Sequence, residues 1–534
     1  MEPHDHVPPL RPYQRTAVDM AVSRGSLLLA LTMGAGKTRV AIEAVKELDP
    51  GPGVVFCTNS LKYQWAEVEI PKWHPGATAL VVDGTKKKRT AQYEQAADHD
   101  YTVLSYDMLV HDWDLIREHL PLGFVIADEA TLIKGFRAKR SKRLKAMAQH
   151  VPYRFALSGQ PVENRPEELF SIMEFVDPEV LGPFHKFDRA FIVRDPSGRP
   201  RRYRNLNVLN DLMSGAMYRK SREDIAAFLP DKVELEVPVR LDPKTQKVYD
   251  HVRDDLLRLL DDMASSGSMS NFDLMAHYGR SDDQSGEAKG QIMARITAMR
   301  LLCSHPYLLA RSAADFDDAE TSTGSAYASE LVKAKVVEIS AYAGDCLDVT
   351  AGSNKAKALF HTLSDVFEED ETAKVVVFSG FKPMISLIGQ QLAAAKIGFT
   401  SMTGDTPAQE RQRRMDRFNH DPRCRVFVSS DAGAYGINLN AGSHLINYDF
   451  PWSAGALAQR VARIDRTSSE RSQISIVHLY NHGTIEHRQL EMLRQKSEVA
   501  EAFVDGRGAD ARGSLSLTLS SLREFLSHGP LPVR

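Results

Sequence analysis

Met33-Gly34-Ala35-Gly36-Lys37-Thr38 follows directly on the apolar run Leu27-Leu28-Leu29-Ala30-Leu31. A strand that ends in a glycine turn and opens a helix has the layout of a phosphate-binding loop. Gly34 and Gly36 let the backbone bend tightly, so that its N–H groups face a polyphosphate, and the positive end of the following helix adds to the attraction. In that arrangement Lys37 reaches the β- and γ-phosphates and Thr38 offers its hydroxyl to Mg²⁺. The full pattern wants glycine at position 31, where this chain has Leu31. A chance glycine turn is the competing reading.

A second group bears on the same chemistry. Phe124-Val125-Ile126-Ala127 reads as a buried strand, and Asp128-Glu129-Ala130 follows at its carboxyl end. Ligands bind at that edge in open α/β sheets. Asp128 would hold the metal, directly or through water, and Glu129 would orient the attacking water or take its proton. The alternative is a solvated acidic pair that caps the next helix.

The elements that must position these residues are legible as alternation. Within the first 180 residues, Val54–Cys57, Leu80–Val82, Thr102–Ser105, Phe124–Ala127 and Arg154–Leu157 read as strands. Between them lie helical patterns such as Val40, Ala41, Ala44, Val45 and Leu48. Such alternation predicts a parallel sheet with helices on both faces. From Asp242 to Leu309 the pattern is helical, with Val248, Val252, Leu256, Leu257 and Leu260 on one face. Ala264–Gly290 and Ala313–Ala328, rich in Ser, Gly, Asp and Ala, read as exposed loops. Alternation resumes with Lys374–Phe378, Phe399–Met402, Val426–Ser429, His444–Tyr448 and Ile474–Leu479. The expected fold is therefore α/β, with two separate parallel sheets flanking a helical middle.

With 534 residues, two or three domains are expected. Hydrophobic content of 43% and charged content of 26% argue for a globular chain and against a disordered or membrane-embedded one. Cys57, Cys303, Cys346 and Cys424 lie far apart without metal-ligand spacing, which suggests core thiols in a reduced cytoplasm. The first residues lack the basic and apolar regions of a signal peptide. A net charge of −3 does not advertise a nucleic-acid binder, but a motor needs a positive track and not a positive total. Lys86–Arg89, Arg137–Lys145 and Arg199–Arg204 are local basic runs that fit either a track or a solvated face.

With these segments in place, the chain resembles helicase superfamily two, and within it the SWI/SNF-type DNA translocases. Leu10-Arg11-Pro12-Tyr13-Gln14 resembles the entry segment, and the resemblance assigns adenine recognition to Gln14. Leu29–Thr38 resembles the phosphate loop of this family, which does not keep the first glycine, so Leu31 becomes a mark of the branch. Ser60–Trp65, with Lys72-Trp73 and Pro75, is similar to motif Ia, and Asp128-Glu129-Ala130-Thr131 to the Asp-Glu-Ala-His box. Ala156–Asn164, continued by Glu168-Leu169-Phe170, is similar to motif III. Tyr218-Arg219-Lys220 and Leu229–Lys232 resemble the join between lobes, and Leu301–Pro306 the helical insertion. Val377–Phe381 resembles motif IV, Ser429–Leu439 motif V and Gln459–Arg466 motif VI. Thr131, Gln160 and Ser469 depart from the family pattern at positions expected to tune coupling without removing a phosphate contact.

The resemblance implies two RecA-like lobes, 1–230 and 351–500, a linker and helical insertion over 231–350, and a tail over 501–534. It implies ATP and Mg²⁺ as cofactors. The nucleotide would be bound by Gln14, Met33, Gly34, Ala35, Gly36, Lys37, Thr38 and Gly436, and the metal by Thr38 and Asp128. Arg463 and Arg466, one helical turn apart, can face one cleft and would complete the site when the lobes close, with Gln459 orienting water or phosphate. A basic face paired with acids such as Asp465 is the plainer alternative for Arg460, Arg463 and Arg466. Ser60, Ser105, Ser379, Ser429 and Gly433 are the expected DNA-phosphate contacts, though each serine also suits a cap or turn. Trp65 and Trp73 suit base stacking or the core.

Three functions compete: an ATPase that translocates on duplex DNA and remodels protein–DNA complexes, a strand-separating helicase, and a nucleotide-gated binding protein with weak hydrolysis. The lack of a recognisable nuclease or zinc module suggests a bacterial or phage motor, cytoplasmic and nucleoid-associated. A protein partner that directs it is also expected.

Overall fold

The computed structural model describes residues 8–162, 167–194, 200–265, 287–318, 324–337, 352–433, 436–504, 510–512 and 519–527. The chain forms two compact units. The first comprises Met1–Pro230, Asp465–Ser468 and Lys496–Leu515; the second comprises Asp231–Ile464, Ser469–Gln495 and Ser516–Arg534.

The first unit is built on a seven-stranded sheet of order β3-β4-β2-β5-β6-β1-β9. Its strands are β1 (Ser26–Leu31), β2 (Gly53–Cys57), β3 (Ala79–Val81), β4 (Tyr101–Ser105), β5 (Phe124–Ala127), β6 (Tyr153–Leu157) and β9 (Met217–Lys220). Every pairing in it is parallel. Parallel strands are covered on both faces, and the unbroken apolar runs of β1, β2 and β5 are buried at every position. The register sets Phe56 beside Ala127, Ala127 beside Ala156, and Leu29 beside Leu157. The carboxyl ends of β2, β5, β6 and β1 therefore reach one edge together. Helix α1 (Pro12–Arg24) precedes β1, and α2 (Lys37–Leu48) follows it.

A smaller antiparallel sheet of order β16-β8-β7 joins β7 (Ile192–Arg194), β8 (Pro200–Arg204) and β16 (Asp510–Arg512) in the same unit. The segment expected to be a tail thus contributes a strand here. Ala500 and Val504, at the end of the helix Ile485–Val504, are buried in the first unit's core.

The second unit carries a six-stranded sheet of order β10-β15-β14-β11-β13-β12, again parallel throughout. The strands are β10 (Asp231–Val239), β11 (Val375–Phe378), β12 (Phe399–Met402), β13 (Val426–Ser429), β14 (His444–Asn447) and β15 (Gln473–Asn481). Neither β9 nor β10 was anticipated. Tyr218-Arg219-Lys220 looks polar because β9 is an edge strand, and β10 is an edge strand with its first six residues exposed. An edge strand lacks the apolar run by which buried strands are recognised.

The helices Pro243–Ser265, Glu287–Ser304, Pro306–Asp317 and Ala326–Lys333 share a core with the second sheet, from Val252 and Ile296 through to Ile446 and Tyr448. Tyr448 donates its hydroxyl to Ser304 O at 2.7 Å, and Asn481 Nδ2 donates to Cys303 O at 2.7 Å. Leu301–Pro306 is thus fastened directly to the sheet. Of the two stretches read as loops, 266–286 and 319–323 lie outside the described residues, while Ala313 to Asp317 is helical.

His478, on β15, is 4% exposed and lies 3.3 Å from Asn447 Nδ2 through its Nδ1. Burial pushes its imidazole down to about 4, with Glu234 opposing. The unfolded chain takes up this proton near pH 6.5 and the folded unit only near pH 4, so protonation favours unfolding between those values. The expected result is a loss of up to about 3 kcal/mol of stability as pH falls through that window. Urea unfolding from pH 7 to pH 4 checks it, and His478→Gln should flatten that slope.

Candidate nucleotide and nucleic-acid site

The turn after β1 is set by two glycines in the left-handed region, Gly34 at φ 77° and Gly36 at φ 83°. A Cβ at Gly36 would lie 2.6 Å from Gln14 Nε2, so only glycine fits beneath that amide. Gln14 Nε2 and the Tyr13 hydroxyl both donate to Ala35 O, at 3.0 and 2.9 Å. Gln14 Oε1 in turn accepts from Arg11 N at 3.0 Å. Helix α1 therefore braces the loop through the entry segment. Met33 packs on the turn after β6, where a Cβ at Gly159 would stand 2.5 Å from Met33 Cγ and 3.3 Å from Lys37 Nζ.

Lys37 Nζ donates to Leu31 O at 3.0 Å and Thr32 O at 3.2 Å. Burial lowers its ammonium to about 8, against the attraction of Glu129 and Asp128. Arg466 adds to the lowering. It lies in Asp465–Ser468, the short stretch grouped with the first unit, and burial lowers its guanidinium to about 10. A Cβ on Gly34 would come 3.0 Å from Arg466 Cα, and Thr467 Oγ1 donates to Gly34 O at 3.1 Å. Two cations that burial disfavours, side by side at a phosphate loop, suit a polyanion.

Asp128 and Glu129 stand at the end of β5. Glu129 has φ 51° and ψ 57°, a left-handed conformation costly for a side chain with a Cβ and concentrated at functional sites. Its N–H donates to Asp128 Oδ1 at 2.9 Å, and Trp65 Nε1 donates to Asp128 Oδ2 at 2.8 Å. The Tyr106 hydroxyl holds Asp128 O at 2.8 Å. Thr131, which stands where relatives often have histidine, donates its hydroxyl to Glu129 Oε1 at 2.8 Å. Burial raises the Asp128 carboxyl, while the Trp65 hydrogen bond and Lys37 pull it back down. Gln160 Oε1 is buried with no hydrogen-bond partner among the described residues. Glu163 and Asn164, the end of the motif III resemblance, lie outside them.

These residues fit a magnesium nucleotide. The loop has room only for glycine at Gly36, the cations Lys37 and Arg466 are held in a buried setting, and the hydroxyl of Thr38 and carboxylate of Asp128 are hard oxygen donors of the kind Mg²⁺ takes.

Gln459, Arg463 and Gly436 belong to the second unit. Arg463 donates to Gln459 O at 2.9 Å and to Ile437 O at 3.3 Å. Gly436 is left-handed at φ 74°, and Ala434 and Tyr435 lie outside the described residues. Arg460 is 1% exposed and bonds Asp431 at 2.5 Å and Asp449 at 3.5 Å, so it is a structural arginine of this unit. Asp465 pairs with Arg222 at 2.7 Å, not with the arginines beside it in sequence.

The expected DNA contacts differ in exposure. Ser60 is exposed, but Ser105, Ser379 and Ser429 are buried. Ser379 Oγ donates to Asp449 Oδ2 at 2.5 Å, and Ser429 Oγ to Met402 O at 3.2 Å. Gly433 is buried and its N–H is held by Ser430 Oγ at 3.1 Å. The Ser379 and Ser429 hydroxyls turn inward because the bend after β14 offers the Asp449 carboxylate and the end of β12 offers the Met402 carbonyl. Trp65 is a core residue at 2% exposure, and Trp73 donates to Glu69 Oε2 at 2.9 Å.

The profile of the SNF2-related domain matches residues 13–308, more than half of the chain. The chain belongs to the SNF2-related family. The helicase conserved C-terminal domain matches residues 354–468. Over 93% of its length this SNF2-related chain is 25% identical to the mouse (Mus musculus) protein named DNA repair and recombination protein RAD54B, covering 56% of that protein. It is 24% identical over 98% of its length to mouse SWI/SNF-related matrix-associated actin-dependent regulator of chromatin subfamily A member 1, covering 46% of it. The chain spans about half the length of these curated relatives. The Pyrococcus furiosus Hef helicase domain has a similar fold, with a TM-score of 0.53, 16% identity, and coverage of 91% of this chain and 98% of that one. The α/β fold with two RecA-like parallel sheets stands on that likeness and on the two sheets themselves. No described helix is long and apolar enough to cross a membrane.

Proposed function

We propose that this chain is a DNA-dependent ATPase that translocates on duplex DNA and remodels protein–DNA complexes. The observation that carries the reading is the meeting of Lys37, Asp128, Glu129 and Arg466 in one unit of an SNF2-related chain. The names of its relatives, a DNA repair and recombination protein and a regulator of chromatin, point to DNA as the substrate. Mg²⁺, when bound, would supply positive charge against the charge that develops on the phosphates. Lys37 would meet that charge from the loop, Thr38 and Asp128 would supply the metal's oxygen ligands, and Gln14, which braces the loop through Ala35 O, is the residue the family resemblance assigns to the base. Glu129 orients water and accepts its proton. The exposed Ser60 remains a phosphate contact of the first unit.

ATP turnover measured with duplex DNA, single-stranded DNA and RNA tests the reading. Stimulation by duplex DNA is expected, and it should weaken steeply as salt rises, because contact is mostly to phosphate. Stimulation by single strands or RNA but not by duplex would sink it. Lys37→Ala should lower turnover by roughly 10²–10³, the scale of removing one preorganised charge-stabilising group. Unchanged turnover in that variant would also refute the assignment.

A further inference from the structure

Residues Asn59–Trp73 form one continuous helical stretch of mixed pitch: a 3₁₀ turn at Asn59–Leu61, α at Lys62–Gln64, π at Trp65–Glu69, and α again at Ile70–Trp73. The cause of the widened turn is in the sequence. Pro71 has no N–H to give to the carbonyl four residues back, and its ring would crowd that carbonyl. The helix widens instead, and Ile70 N–H bonds Trp65 O, an i→i+5 link. Residues five apart then share a face, and both Trp65 and Ile70 are buried, at 2% and 0% exposure. The widened turn delivers the indole N–H of Trp65 to Asp128 Oδ2 at 2.8 Å.

We infer that Trp65 is a positioning residue for the metal-binding carboxylate, and that the Pro71-induced π turn exists to aim it. Asp128 accepts one N–H on each oxygen, from Trp65 on Oδ2 and from Glu129 on Oδ1. These two bonds fix the plane of the carboxylate while each oxygen keeps a further lone pair for Mg²⁺ or its water. A ring in the core needs only bulk. An indole whose N–H meets a catalytic carboxylate is there for its donor as well. The exposed Ser60 lies in the same helical stretch as Trp65, so the residue that aims the carboxylate and the proposed nucleic-acid contact share one short helix.

This inference rests on the ATPase reading above, and the experiment separates the two. Fluorescent mant-ADP is titrated against wild type and Trp65→Phe, in Mg²⁺ and in EDTA, without turnover. Loss of the donor alone should remove about 10-fold or more of the Mg²⁺-dependent gain in affinity, with binding in EDTA unchanged. Benzothienylalanine at position 65, which keeps the indole shape but replaces N–H by sulfur, should behave as Trp65→Phe does. It keeps the test decisive where phenylalanine leaves a packing gap. An undiminished Mg²⁺ gain in both variants, or an equal loss in Mg²⁺ and EDTA, overturns the inference. A wild-type chain that does not hydrolyse ATP overturns the ATPase reading instead, before any variant is made.

Discussion

Arg466→Ala should lower the turnover number by about 10³–10⁵, the largest single effect expected in this chain, with a small change in nucleotide affinity. The residue stands against Gly34, and it and Lys37 are both pushed toward the neutral form by burial. A cation kept in such a place weakens the folded state. Its replacement should therefore leave the melting temperature unchanged or raise it. Loss of activity without loss of stability is the signature of a group held for a ligand. Arg466→Lys keeps the charge but loses the planar fork with which a guanidinium can meet two phosphate oxygens at once, so it should recover only part of the rate. Steady-state ATPase kinetics and a thermal melt on the same preparations check all three statements. A drop in melting temperature together with activity would make Arg466 a structural residue instead.

How much of this was legible follows from what each residue's neighbours do. The strands β5 and β13 were bounded correctly because their runs are buried at every position, and burial on both faces is written directly into composition. The edge strands β9 and β10 were not, since an edge strand has no such run. Lys37, Asp128 and Glu129 could be found because a turn, a strand end and a charge are local features. The internal bonds of Ser379 and Ser429 could not, because their partners are distant in sequence: Asp449 in the bend after β14 and Met402 at the end of β12. Trp65 was legible as a core residue but not as a donor. Bulk and aromaticity made it a stacking residue or a core residue, whereas its N–H reaches a carboxylate 63 positions away. Pro71 was the one local sign that the helix would not run with regular pitch.

Glu129→Gln is expected to separate binding from hydrolysis. The amide keeps the size of the side chain and can still accept from the Thr131 hydroxyl, so the left-handed turn at position 129 should survive. It cannot take a proton from water. Turnover should fall by about 10²–10⁴, the range for losing a positioned general base, while nucleotide and duplex DNA still bind. Thr131→Ala removes the hydroxyl that fixes the carboxylate but leaves the base, so its loss should be smaller and should add little on top of Glu129→Gln. That non-additivity is the decisive reading. If the two losses multiply instead, Thr131 acts on something other than Glu129. If Glu129→Gln turns over ATP at the wild-type rate, the water is activated elsewhere and the carboxylate pair serves the metal alone.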